Sequence, residues 1–370
     1  MPMTVRMTRR MFSIFITASS LFAMSLIGCA QQPAQSPAPQ PSAQPAPKER
    51  VFTESRPLMS TTITLTIAAP DEAVAQGHIR AAFDQLDKLQ SELSAHDPKS
   101  ELATVNAESA ARPVKVEQDL FDCISDGVKW FDQTNRTFDI TCAPLLKLWR
   151  DCGKADRLPQ QKELDAARAL GGANAVTLDP AALTVQFTKP GMQLDLGGLG
   201  KGFCMDRVAQ TLRARGVQNA LLAGSGDIRA MGRNPEGRPW RVGIQDPRQP
   251  ENPDAHLAVL ALIDKSVSTS GNYQRYVTIQ GKRYSHIVDP RTGWTADNVP
   301  SVTVIGPDSI TTDILDTALS VMGVEEGMKY VEAHPGIEAM FVLFDKNNEP
   351  VVTQSKGFGK YLAGWADKPK

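Results

Sequence analysis

The chain has little of what builds small specialised scaffolds. Five cysteines in 370 residues are too few for a disulfide framework, and no two of them have the close spacing of a zinc or thioredoxin-type site. Neither sign of charge is in excess: 40 Lys and Arg face 41 Asp and Glu, a formal net charge of −1. Cations and anions alternate along the chain with no basic stripe, so nucleic acid is not the expected partner. Long apolar runs are also scarce. The one run, Met11 to Ile27, is too short and too abruptly ended for a comfortable membrane-spanning helix.

That run follows Arg6, Arg9 and Arg10, the pattern of an export signal. It ends in Leu26-Ile27-Gly28-Cys29, which resembles the lipobox of bacterial lipoproteins, where the thiol is acylated and the chain is cut before it. The expectation is a signal peptide over residues 1–28 and a lipidated Cys29. The alternatives are an uncleaved anchor and an ordinary secretory signal. Arg9-Arg10-Met11-Phe12 also resembles a twin-arginine signal. Gln31 to Lys48 is almost wholly Pro, Ala, Gln and Ser, which cannot bury enough apolar surface to offset ordering; residues 29–50 therefore read as a disordered tether. Together these place the protein in a bacterial cell envelope, lipid-anchored and facing the periplasm, with the inner membrane favoured over the outer.

About 320 residues follow, from Val51 to the end, enough for one large domain or two smaller ones with a substantial core; one domain over residues 51–370 is the expectation. Thr62-Ile63-Thr64-Leu65-Thr66-Ile67 alternates with period two, predicting a half-buried strand over Thr61–Ala69. From Asp71 the period changes. Val74, Ile79, Phe83, Leu86, Leu89 and Leu93 share one helical face, with Asp71 as N-cap. Further helices are expected at Leu120–Phe131, Gln161–Leu170, Gly200–Arg215, Ser309–Met322 and Glu325–Ala333. Short strands are expected at Ala175–Leu178, Thr184–Phe187, Met192–Leu196, Ala220–Leu222, Trp240–Ile244, Leu257–Ile263, Tyr276–Ile279, Ser301–Ile305 and Ala339–Phe344. Gln280-Gly281 reads as a hairpin turn. Hairpins and helices mix without regular strand-helix alternation, so the fold class is α+β with mixed or antiparallel sheets. Cys142 and Cys152 are the nearest pair for a disulfide, and small buried thiols are the other reading.

The densest chemical signal is Leu194-Asp195-Leu196-Gly197-Gly198-Leu199-Gly200-Lys201-Gly202, an apolar segment running through glycines into a helix. Phosphate sites are built this way: glycine amides converge on the anion, the helix N-terminus adds partial positive charge, and a lysine adds a full one. The Walker spacing fails, because Asp195 and Gly202 stand where a glycine and a Ser or Thr are needed. A G-x-G-x-x-G fingerprint is missing as well, both here and in Gly224-Ser225-Gly226-Asp227. A tight strand-to-helix turn with no ligand is the other reading. Two more segments stand out: Ser268-Thr269-Ser270-Gly271-Asn272-Tyr273 with Tyr284-Ser285-His286-Ile287-Val288-Asp289-Pro290-Arg291-Thr292-Gly293, and Thr312-Asp313-Ile314-Leu315-Asp316-Thr317-Ala318-Leu319. Asp313 and Thr317 are four apart, on one helical face, where a carboxylate and a hydroxyl can share a hard cation. An N-terminal acid and a back-bonded threonine would be the plain alternative.

Taken together, these blocks resemble the ApbE family, the FAD:protein FMN transferases. The resemblance runs from about Arg56 to Gly359 and includes Leu58-Met59-Ser60-Thr61, Ser100-Glu101-Leu102 with Asn106, and Phe138-Asp139-Ile140-Thr141. It implies an ApbE-like fold and a Mg²⁺ ion held by the Gly198 carbonyl, the Asp313 carboxylate, the main chain around Asp316 and the Thr317 hydroxyl. It implies an FAD site lined by Met59, His96, Thr137, Phe138, Asp139, Asp195, Lys201 and Ile287, with Ser270 and His286 near the reacting phosphate. Asp313 and His286 are then the catalytic residues, His286 as base or only as binding group. Asp206, Asp227 and Tyr273 match family motifs and are either functional or structural. The sequence departs from the family at His96, where an aromatic is usual, at Ser60 and Ser225, where glycine is usual, and at Ile140, where proline is usual.

The implied reaction is attack of a Ser or Thr hydroxyl of an acceptor redox-protein subunit on the FMN-side phosphorus of FAD, with AMP leaving. Such a reaction needs positioning and charge neutralisation more than covalent help. The alternatives are an FAD pyrophosphatase giving FMN and AMP, and a non-catalytic flavin-binding lipoprotein.

Overall fold

The structure, a computed structural model, describes residues 49–366. The expected signal peptide, Cys29 and the tether as far as Lys48 lie outside the described residues. Among the described residues no helix is long and apolar enough to cross a membrane.

The chain begins with two paired strands, β1 (Arg50–Leu58) and β2 (Thr61–Ala69), and a long helix, α1 (Glu72–Leu93). Asp71 caps α1, its carboxylate accepting from the Val74 N–H at 2.9 Å. Ala75, Ile79, Phe83, Leu86, Leu89 and Leu93 face the core, whereas Val74 in the first turn is 40% exposed, a departure from the expected apolar face. Then come α2 (Glu101–Glu108), β3 (Val114–Lys115), α3 (Gln118–Gln133), α4 (Ala143–Lys154), α5 (Gln161–Ala169), β4 (Val176–Asp179), β5 (Thr184–Phe187) and α6 (Gly200–Ala214). Strands dominate the next stretch: β6 (Ala220–Gly224), β7 (Asp227–Met231), β8 (Trp240–Gln245), β9 (His256–Leu262), β10 (Lys265–Gly271), β11 (Tyr276–Ile279), β12 (Lys282–Ser285) and β13 (Ser301–Gly306). Last are α7 (Ser309–Ala333), β14 (Glu338–Phe344), β15 (Pro350–Gln354) and β16 (Leu362–Trp365). The two expected late helices form one element broken at Gly323, whose φ of 77° no β-carbon-bearing residue adopts readily.

The centre is an eight-stranded antiparallel sheet in the order β1-β2-β6-β7-β10-β13-β14-β15. Period-two alternation divides its residues between two cores. Val302, Val304, Ala339 and Phe341 face one side and pack with α1, α3, α6 and α7. Ile305, Met340 and Val342 face the other and pack against the three-stranded sheet β16-β9-β8. A smaller cluster, with Leu145, Trp149, Leu164, Ile279 and Tyr284, binds α4 and α5 to the β11–β12 hairpin. The fold is α+β, as the mixed pattern indicated.

One expected strand is not formed: Met192–Leu196 joins no sheet. The Asn106 side chain stands in for a neighbouring strand, accepting from Leu194 N–H at 2.7 Å and donating to Leu194 C=O at 3.0 Å. The apolar run is therefore buried without a ladder. Of the two readings of Cys142 and Cys152 the structure shows the second: both are free thiols, Cys142 at the N-cap of α4 and Cys152 near its end. Ten helical residues separate them by about 15 Å, far beyond disulfide reach.

Candidate active site

Loops and element ends from across the chain enclose a cavity of ≈ 850 Å³. Every binding, metal and catalytic residue expected from the sequence within the described residues lines it: Met59, His96, Thr137, Phe138, Asp139, Asp195, Gly198, Lys201, Ser270, His286, Ile287, Asp313, Asp316 and Thr317.

The acidic centre is Asp227, Asp313 and Asp316, all buried, with carboxylate oxygens within 4.8 Å of one another. Each arrives by a different local rule. Asp227 opens β7 directly after the Ser225-Gly226 turn, where both residues have positive φ, 51° and 95°. Asp313 and Asp316 project from one side of α7 near its N-terminus. Lys201, in the first turn of α6, places its ammonium 2.7 Å from Asp227 Oδ2 and 3.2 Å from Asp313 Oδ1. The Gly202 N–H donates to Asp313 Oδ2 at 2.8 Å. The Thr317 hydroxyl donates to Asp316 Oδ1 at 3.2 Å.

Burial and the neighbouring Asp227 charge push Asp313 up to about 6, although Lys201 and the Gly202 N–H pull the other way. Burial, with Asp313 and Asp227, pushes Asp316 well above the ordinary carboxylate range. Burial alone would lower Lys201, but the Asp227 and Asp313 carboxylates outweigh it and hold the ammonium charged. Three crowded carboxylates facing one ammonium favour a further positive charge. Gly198 completes the group: a β-carbon there would lie 3.0 Å from the Phe138 ring and 3.4 Å from Thr317 Oγ1.

Four amides of the glycine loop are already bonded within the protein. Gly197 N–H is taken by Asp195 Oδ1 at 2.8 Å, Leu199 and Gly200 N–H by the Leu196 carbonyl, and Gly202 N–H by Asp313. These four hold the loop and the Asp313 carboxylate in place, and Lys201 supplies a full positive charge.

His286 follows β12, exposed to the cavity, with Nδ1 2.9 Å from the Arg275 carbonyl. A carbonyl only accepts, so Nδ1 carries the hydrogen and Nε2 keeps its lone pair. Desolvation by the surrounding cavity wall is the main cause lowering its pKa from 6.5, which favours the neutral imidazole.

Residues 59–341 match the model of the ApbE family. The chain belongs to that family. The FAD:protein FMN transferase of Klebsiella pneumoniae is 32% identical over 305 residues, covering 82% of this chain and 92% of that one. The apo flavinyl transferase ApbE of Pseudomonas stutzeri superposes with a TM-score of 0.75 at 30% identity, covering 86% of this chain and 98% of that one. The ApbE protein of Thermotoga maritima also gives 0.75, at 28% identity, over 84% and 99% of the two chains.

The positions where this member departs from the ApbE pattern have local explanations. Ser60 and Ser225 both have positive φ, 59° and 51°, so each occupies a conformation suited to glycine. Ile140 is buried, and its branch fills the space over Gly127. His96 is exposed on the cavity wall, where an imidazole covers less of a flat ligand than a larger ring does. Of the three motif residues left open, Asp206 is structural, accepting from the Ser309 and Ile310 N–H groups and so capping α7. Tyr273 packs its ring over Gly271 outside the cavity lining. Asp227 belongs to the acidic centre. The sequence leaves its role open, because a match to a family motif does not by itself separate a site carboxylate from a structural one. An acid directly after a two-residue turn was the available signal. Trp149 and Arg150 of the cavity wall were missed because α4 was not read as a helix, although Pro144 at its start and Leu145, Trp149 and Cys152 on one face mark it.

Proposed function

We propose that this protein is a Mg²⁺-dependent flavinyltransferase that moves the FMN half of FAD onto a Ser or Thr hydroxyl of a redox-protein subunit and releases AMP. The observation that carries this reading is the convergence of Asp227, Asp313 and Asp316 beside Lys201 in one cavity, in a chain whose relatives are named FAD:protein FMN transferases. The donor set fits magnesium: carboxylates, the Gly198 carbonyl and the Thr317 hydroxyl are all hard oxygens, with no thiolate or imidazole among them. Magnesium bound there supplies charge neutralisation across the pyrophosphate, worth several kcal/mol in the transition state.

This chain's own groups do the rest. Lys201 adds fixed positive charge beside the diphosphate. Phe138, Met59 and Ile287 give the flavin and adenosine ends apolar contact. His286 Nε2 takes the proton of the acceptor hydroxyl as its oxygen bonds to the FMN-side phosphorus, while the phosphorus–oxygen bond to the AMP phosphate breaks and AMP keeps the electron pair. A positioned base of this kind contributes about 10²- to 10⁴-fold. Incubating the purified protein with FAD, Mg²⁺ and an apo redox subunit tests the reading. Covalently flavinylated subunit with AMP supports it; free FMN with AMP makes the protein a pyrophosphatase, and unchanged FAD makes it a binding protein. We place the enzyme on the periplasmic side of a membrane through lipid on Cys29; a Cys29→Ser protein that stays in the membrane fraction would contradict this.

A further inference from the structure

We infer that the acceptor protein docks by adding an extended, acidic segment to the free edge of β11, which leads its hydroxyl residue into the cavity beside Arg275 and His286. The inference rests on the flavinyl-transfer reading and identifies how the protein substrate is held.

The register of the hairpin carries the argument. Ile279 pairs with Lys282 across the two-residue Gln280-Gly281 turn, Val277 with Tyr284, and the His286 N–H reaches the Arg275 carbonyl at 3.1 Å. In an antiparallel pair, bonded and non-bonded positions alternate. Arg275, Val277 and Ile279 therefore bond inward to β12, and the main-chain groups of Tyr276 and Thr278 point outward. The opposite strand confirms this phase, because the Ser285 N–H turns away from β11 to Asp297 Oδ1 at 2.7 Å. The outer edge of β12 is thus covered near the cavity by Asp297 and by Ala296, whose N–H bonds the Ile287 carbonyl. On the β11 side the Gln280 N–H in the turn is taken by Asp156 Oδ1 at 2.6 Å, but the outward groups of Tyr276 and Thr278 have no such cover, and in the described residues β11 pairs with β12 alone.

Position and charge select the occupant. Arg275, Tyr276 and Val277 line the cavity, so a strand laid along β11 enters it next to His286. Tyr276 is 40% exposed, with the Arg283 guanidinium 4.4 Å from its ring centre. Arg150 and Arg275 are exposed on the cavity wall and Lys282 and Arg283 on the hairpin, and among the described residues none forms an ion pair with a carboxylate. A group of unpaired cations beside an open strand edge fits an acidic peptide segment held by main-chain bonds. The reaction itself requires a protein hydroxyl to reach a phosphorus inside a cavity, which an extended segment does and a folded surface does not.

Amide hydrogen exchange of the full enzyme, with an apo redox subunit that the wild-type protein flavinylates, tests this. The expected result is at least about tenfold slower exchange at Tyr276 and Thr278 in the complex, with no change at Val277, which is already bonded. A Thr278→Pro protein, lacking the edge donor, is expected to raise KM for that subunit about tenfold while the FAD dissociation constant and kcat stay unchanged. A Lys282→Glu, Arg283→Glu protein is expected to raise KM similarly and to flatten its dependence on salt. Transfer that proceeds with no protection at Tyr276 and Thr278 overturns the inference. So does protection that appears in the enzyme alone with rising concentration, which would assign the edge to a second copy. Protection produced equally by anionic lipid vesicles overturns it too. If the wild-type enzyme transfers FMN to no protein, the parent reading fails and this one with it.

Discussion

Gly202 donates its N–H to the Asp313 carboxylate at 2.8 Å, joining the first turn of α6 to α7 across 111 residues of sequence. The contact exists because Gly202 has no side chain: a β-carbon would lie 2.3 Å from the Ser309 carbonyl oxygen and 2.9 Å from Asp313 Cβ. Backbone cannot yield as a flexible side chain does. A Gly202→Ala protein is therefore expected to lose about 1–3 kcal/mol of stability through overpacking and most of its transfer rate through displacement of Asp313. Urea unfolding and the transfer assay check both; wild-type values in each would refute the account of this contact.

Asn106 substitutes for a strand by bonding both main-chain groups of Leu194. Its removal leaves a buried N–H and C=O unpaired, a cost of about 1–3 kcal/mol. The same loop carries Asp195 and Gly198, so Asn106→Ala should also weaken FAD binding. Denaturant midpoints and FAD titration measure the two effects, and an unchanged FAD affinity would show that the loop holds its shape without the amide.

In the proposed base role, the proton affinity of His286 would set the acid limb of activity. Burial is the largest cause of its lowered pKa, so the folded protein binds this proton less readily than the unfolded chain does. Its contribution to stability is accordingly present above pH 6.5 and is lost as pH falls through the folded value. The rate should decline toward acid with a midpoint below 6.5, and His286→Ala should remove that limb while reducing the rate about 10²- to 10⁴-fold. A limb that persists in the variant would belong to another group.

Ser60 and Ser225 occupy left-handed backbone at no visible gain in contacts. Ser60→Gly and Ser225→Gly should each stabilise the protein, by about 0.5–1 kcal/mol, because relief of strain outweighs the added freedom of the unfolded chain. Thermal melts of the single variants decide the sign.

The sequence made the large elements legible where one apolar period ran undisturbed, as in Thr61–Ala69, α1 and the strands of the second core. It concealed β1 because that strand lies at a sheet edge, where Phe52, Glu54 and Arg56 are only half-buried and no apolar alternation is required. Met192–Leu196 misled for the converse reason: burial demands apolar residues whether the partner is a strand or one asparagine. The cavity lining was legible through the family blocks, but the working of the glycine loop was not. Nothing local indicates that Gly202 faces Asp313, because that pairing is set by the packing of two distant helices. Asp227 needed the same information, since only the fold brings the β6–β7 turn to the side of α7.

In the proposed mechanism the buried carboxylates would hold a magnesium ion at the FAD diphosphate. Its most direct test is the rate of FMN transfer as Mg²⁺ is titrated, in wild-type and in Asp313→Ala protein shown to be folded by its melt. The account predicts that the variant loses about 10²-fold or more in rate, the equivalent of several kcal/mol, and needs more metal for what remains. A folded variant with wild-type turnover and an unaltered metal requirement would contradict it.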